Sequence, residues 1–123
     1  EEVHGEIAGV AAVTRAAGIP LKVIFESVHL SDDEIRRTVE ICVAAGADFV
    51  KTSTGFNGDG ASIEAVKAML EAAQGRVQVK PSGGIRNAEQ ARRYLEIGAT
   101  RMGVGYSSVP ALCGDGPAAT SGY

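Results

Sequence analysis

The chain has 123 residues, enough for one domain with one core, and its composition of 45% hydrophobic, 22% charged and 5% aromatic residues with two cysteines is that of an ordinary globular α/β protein, neither disordered nor disulfide-stapled. A net charge of −3 with dispersed Lys and Arg argues against a nucleic-acid partner, and no apolar run approaches the ~18 residues of a membrane span. The start Glu1-Glu2-Val3-His4 has no signal-peptide character, so a cytoplasmic location is expected, and the start without Met raises the expectation that something upstream has been removed or is not included.

In chain order, an Ala-rich helix ends at Gly18 and a β-rich run follows at residues 21–26. Ser31-Asp32-Asp33-Glu34 then reads as a capping box, with Ile35 opening the apolar face of a second helix that ends at Gly46 before a run at 48–53. Ser62 caps a third helix ending at Gly75, followed by a run at 77–80, and Asn87 caps a fourth ending at Gly98, followed by a run at 100–104. Glycine just past a helix takes the left-handed conformation without Cβ strain, so each of the four marks a helix-to-strand corner. Helices alternating with strands in this way predict crossover connections and four parallel strands.

Four such strands fit either a small doubly wound sheet or half of a (β/α)8 barrel. The strand exits favour the barrel, because each is polar or glycine-rich: Glu26-Ser27, Lys51-Thr52-Ser53-Thr54-Gly55, Lys80-Pro81-Ser82-Gly83-Gly84 and the loop at 103–108. Barrels place their chemistry on that end and need roughly 250 residues, so the chain is expected to supply about half of one over residues 1–113, with 114–123 as a flexible tail.

Lys51 and Lys80 stand at the ends of successive strands, and neighbouring strands lie about 4.8 Å apart. A second ammonium and partial burial favour the neutral, nucleophilic amine, the arrangement that activates Schiff-base lysines. A lone lysine there would read as a surface residue paired with Glu26 or Asp48; two at matched positions read as function. Ser82-Gly83-Gly84 before a helix, beside Gly105, Ser107 and Ser108 on the next loop, has the makings of a phosphate cradle of backbone N–H groups, although Gly-Gly alone also makes a tight turn. His4 and His29 are isolated, so no metal is expected. Asp59 reads as a turn former, Cys42 as a core thiol and Cys113 as an exposed one.

These stretches resemble the deoxyribose-phosphate aldolase family: residues 21–26, then Ala45-Gly46-Ala47-Asp48-Phe49-Val50-Lys51-Thr52-Ser53-Thr54-Gly55, then Val79-Lys80-Pro81-Ser82-Gly83-Gly84-Ile85-Arg86, the likeness extending over about 21–105. The resemblance implies a class I aldolase on a (β/α)8 barrel of which this is the C-terminal half, about the last four βα units, needing no cofactor and cleaving 2-deoxy-D-ribose 5-phosphate to glyceraldehyde 3-phosphate and acetaldehyde. It implies that Lys51 forms the imine, that Lys80 is the second, activating lysine, and that Thr54, Gly83 and Gly84 line the substrate and phosphate site. It also implies that a tail of Gly114-Asp115-Gly116 ending in Tyr123 reaches the site to assist proton transfer. The family's loop after the last strand is a glycine, a small residue and two serines. Here Gly103 to Ser108 matches it only with two extra residues or with Gly105 and Tyr106 replacing the serines. The family's catalytic aspartate lies in the other half, so the implied partners are a phosphorylated sugar and an N-terminal half-barrel or a second copy of this chain. A sugar-phosphate isomerase barrel, or a non-catalytic half-barrel, remains the alternative reading.

Overall fold

The computed structural model describes residues 1–114 and 116, in which helices and strands alternate as expected. The elements are α1 (Glu2–Ala16), β1 (Lys22–Ile24), α2 (Asp32–Ala45), β2 (Phe49–Lys51), α3 (Ile63–Ala73), β3 (Gln78–Lys80), α4 (Ala88–Glu96) and α5 (Val109–Cys113). All three strands are parallel and lie in the order β1-β2-β3, without the reversal of strand order that marks a doubly wound sheet.

Local chemistry accounts for the corners. Ser31 and Glu34 form the expected reciprocal capping box on α2, Ser62 accepts the Ala65 N–H at the start of α3, and Asn87 accepts the Gln90 N–H at the start of α4. Gly18, Gly46, Gly75 and Gly98 all have positive φ. At α3 the left-handed turn begins one residue earlier than expected, at Gln74 with φ +47, whose N–H bonds the Leu70 carbonyl.

The fourth run does not become a strand. Within 100–104 the only β pairing is a single parallel bridge from Ser82 to Gly103, supported by the Gly103 N–H on the Pro81 carbonyl at 2.8 Å. Gly103 and Gly105 supply little strand propensity, and a ladder on one side only does not hold the segment extended. The chain instead turns at Tyr106–Ser108 into α5, a helix the sequence reading did not include, which Gly114 closes at φ +86.

The strand register divides the sheet into two faces. Val23, Val50 and Val79 are partners across the three strands, and they join the core with Ile35, Val39 and Cys42 of α2 and Val66 and Met69 of α3. Helix α2 packs against both α1 and α3, and Arg36 of α2 bonds Glu71 of α3 at 2.7 Å, so the three helices form a row on that face. Side chains alternate along a strand, so Ile24, Lys51 and Lys80, another registered row, point to the opposite face. No helix among the described residues is long and apolar enough to cross a membrane.

Cys42 is buried in α2 and Cys113 is exposed. Burial pushes the Cys42 thiol up to about 11, and only the thiolate alkylates. Iodoacetamide near pH 7 is therefore expected to label Cys113 and spare Cys42, read by peptide mass; equal labelling of both would show that α2 is not seated on the sheet.

Candidate active site

Residues 49–51 of β2 pair with 78–80 of β3, which makes Lys51 and Lys80 direct partners at the C-terminal ends of adjacent parallel strands, both half-buried. Of the two nearby carboxylates, Asp48 accepts the Leu21 N–H at 2.7 Å, and Glu26 accepts both the N–H and the hydroxyl of Thr54 while its charge also interacts with Lys51.

The loops beyond the lysines are bound tightly to each other. Thr52 donates its hydroxyl to the Ser82 carbonyl at 3.1 Å and accepts the Ser82 N–H at 3.0 Å. The Ala61 N–H bonds the carbonyls of Ser82 and Gly83, and the Tyr94 hydroxyl of α4 reaches the Ala61 carbonyl at 2.7 Å. Burial, and then the negative charge of Glu64, raise the Tyr94 phenol above its ordinary value and keep it a donor. Ser53 is fully buried.

Gly83 and Gly84, alike in sequence, differ in surroundings. Gly83 is buried at φ +86, and a Cβ there would come within 2.8 Å of Gly60 Cα and 3.0 Å of Gly55 Cα. The β2 exit loop and the β3 exit loop therefore meet backbone to backbone. Gly84 is exposed at φ +76 with open space where a Cβ would project, so an anion can approach its backbone.

The expected site residues thus fall into distinct groups. Lys51, Lys80 and Thr54 lie on the exits of β2 and β3, with Gly84 just beyond, at the approach to α4. Ser82 is there too, but its backbone N–H and carbonyl are engaged by Thr52 and Ala61. Gly105 is buried, Ser107 exposed and Ser108 buried, within the turn that leads into α5, and the Ser82 to Gly103 bridge lays that segment alongside the β3 exit. Asp115 and Tyr123 lie outside the described residues. Sequence reading missed Gly60 and Tyr94, whose importance comes from contacts 23 and 33 residues away along the chain (83 − 60; 94 − 61).

A hollow of about 310 Å³ lined by Thr14, Arg15 and Asp48 lies at the opposite end of the strands, remote from the lysines. A second, apolar one of about 250 Å³ lies between α1 and β1, lined by Ile7, Val10, Leu21 and Val23. Val3, Val10 and Val13 of α1 and Ile19 and Ile24 are exposed.

Residues 4–108 match the DeoC/LacD family of aldolases. Among curated relatives, deoxyribose-phosphate aldolase of Thermus thermophilus is 50% identical over 103 residues, 84% of this chain and 46% of the relative, and deoxyribose-phosphate aldolase 1 of Staphylococcus aureus is 53% identical over 93 residues, 76% and 42%. Among solved structures, the putative deoxyribose-phosphate aldolase of Coccidioides immitis superposes with a TM-score of 0.84 at 39% identity over 91% of this chain and 44% of that one. The tetrameric deoxyribose phosphate aldolase of Aeropyrum pernix gives 0.81 at 33% over 89% and 47%. The chain spans somewhat less than half the length of these relatives. With the lysine pair and its glycine loops carried on a sequential parallel sheet, and with that match over 4–108, the chain belongs to the DeoC/LacD family of aldolases.

Proposed function

We propose that this chain is the reactive half of a class I aldolase that reversibly cleaves 2-deoxy-D-ribose 5-phosphate into glyceraldehyde 3-phosphate and acetaldehyde. The observation that carries the reading is the register pairing of Lys51 with Lys80 on the face of the sheet away from the helices. In this reading the neutral Lys51 amine attacks the substrate carbonyl and water leaves to form a protonated imine. That cation accepts the electron pair as the hydroxyl next to the scissile bond gives its proton to a base, the C–C bond breaks and glyceraldehyde 3-phosphate departs; the enamine left behind takes a proton, and water hydrolyses the new imine to release acetaldehyde and free Lys51. Lys80 holds a second positive charge beside the amine and favours its neutral form.

Thr54 faces the substrate from the β2 exit. Gly84, with Gly83 shaping its loop, and Gly105, Ser107 and Ser108 on the adjoining segment form the phosphate side, with Ser82 tying the loops together. The assignment of Tyr123 to proton transfer rests on the family resemblance alone.

We read the sheet as the last four units of a (β/α)8 barrel whose fourth strand is completed only by its missing neighbour. The partner is then an N-terminal half-barrel or a second copy of this chain seated on the outer edge of β1, beside the apolar hollow lined by Ile7, Val10, Leu21 and Val23. Large apolar side chains left in water each forfeit roughly 1.5–3 kcal/mol, so assembly is the state in which the site is ordered. Mixing this chain with the N-terminal half of a family relative and following acetaldehyde release from 2-deoxyribose 5-phosphate tests the reading. Turnover in the mixture and none from either half alone is expected; a well-folded complex without turnover contradicts it.

A further inference from the structure

Glu26, at the exit of β1, has φ +40 and ψ +57, a left-handed conformation that residues with a side chain avoid. The ladder with β2 continues on both sides of it: the Phe25 N–H bonds the Lys51 carbonyl at 2.9 Å and the Ser27 N–H bonds the Thr52 carbonyl at 2.8 Å. These two bonds anchor the backbone on either side of Glu26, which sits level with the exit of the strand that carries Lys51.

Its carboxylate grips one residue there. Oε1 accepts the Thr54 N–H at 2.9 Å and Oε2 accepts the Thr54 hydroxyl at 2.6 Å, a pair of charge-assisted bonds. The Thr54 hydroxyl and N–H, ahead of the smaller influence of His29 and Lys51, hold the Glu26 carboxyl below its ordinary value. The Thr54 hydroxyl also accepts the Phe56 N–H at 3.3 Å. With its one proton given to Glu26, Thr54 faces any ligand as an acceptor, in a fixed orientation three residues beyond Lys51.

We propose that Glu26 is a positioning residue for the imine reaction, acting through Thr54: it sets the place of the β2 exit loop relative to Lys51 and the direction in which the Thr54 hydroxyl bonds. The inference rests on the aldolase reading above. Glycine would adopt this backbone without strain but could not make the clamp, which separates a purely conformational role from the proposed one.

The test is a double-mutant cycle in the assembled barrel, with Glu26→Gln, Glu26→Gly, Thr54→Val and the paired variants. The wild-type assembly is first treated with acetaldehyde and borohydride; absence of an adduct defeats the aldolase reading itself, whatever Glu26 does. With the adduct present, Glu26→Gln and Glu26→Gly are each expected to raise KM for 2-deoxyribose 5-phosphate about tenfold or more, the worth of one charge-assisted bond. In the Thr54→Val background neither is expected to cost more than about twofold further. Glu26→Gly should do this without lowering the denaturation midpoint. Wild-type KM in both Glu26 variants, or losses that add fully to that of Thr54→Val, would overturn the proposal while leaving the lysine assignment intact.

Discussion

Lys51→Arg in the assembled barrel is expected to abolish aldol cleavage, lowering kcat on the order of 10⁵- to 10⁶-fold, the scale of loss when a covalent nucleophile is removed. Arginine keeps the positive charge and much of the length of lysine but stays protonated and forms no imine, so the variant separates nucleophilic from electrostatic demand at one position. Lys80 provides the contrast. Its proposed work is done by charge, so Lys80→Arg is expected to retain far more activity than Lys80→Leu. The leucine variant should recover part of its rate as the pH rises toward about 10, where a lysine amine loses its proton without help. Equal collapse of Lys80→Arg and Lys80→Leu at every pH would mean that Lys80 itself handles a proton.

The second large effect is on stability. Gly83→Ala places a methyl against Gly60 and Gly55 Cα atoms at 2.8 and 3.0 Å, on a backbone with φ +86. The left-handed conformation costs an L-residue about 1–2 kcal/mol and crowding another 1–3, together about 2–5 kcal/mol out of a domain's 5–15. Gly84→Ala shares the conformational cost at φ +76 but meets nothing within 4 Å, so it is expected to lose only about 1–2 kcal/mol. Urea denaturation of the assembled variants reads both. Equal losses would mean that the β2 and β3 exit loops do not touch.

The contrast between these two glycines shows where sequence reading stops. Both are recognisable as loop glycines; nothing local says that one is pressed between two other glycines while its neighbour is open. The lysines were legible because each lies five positions after a corner glycine, 46 to 51 and 75 to 80, and in a parallel sheet of repeating units that equal spacing becomes register. Helix starts were legible because Ser31, Ser62 and Asn87 act within one turn. Residues 100–104 have a β-rich pattern, but among the described residues a single bridge and two backbone bonds to the β3 side are too little pairing to make them a strand. Glu26 was legible as a polar exit and no more, since its backbone and its grip on Thr54 depend on β2 being beside it. Ser82 reads in the sequence as a phosphate donor, but its N–H is held by Thr52, 30 residues earlier.

Imine formation at Lys51 is the claim on which the reading stands, and reductive trapping tests it with least dependence on the rest. The assembled protein is incubated with acetaldehyde, reduced with borohydride, digested and mapped by mass spectrometry. The account predicts one reduced two-carbon adduct, on Lys51. An adduct confined to Lys80 or Lys22, or none under conditions in which the assembly cleaves its substrate, would contradict it.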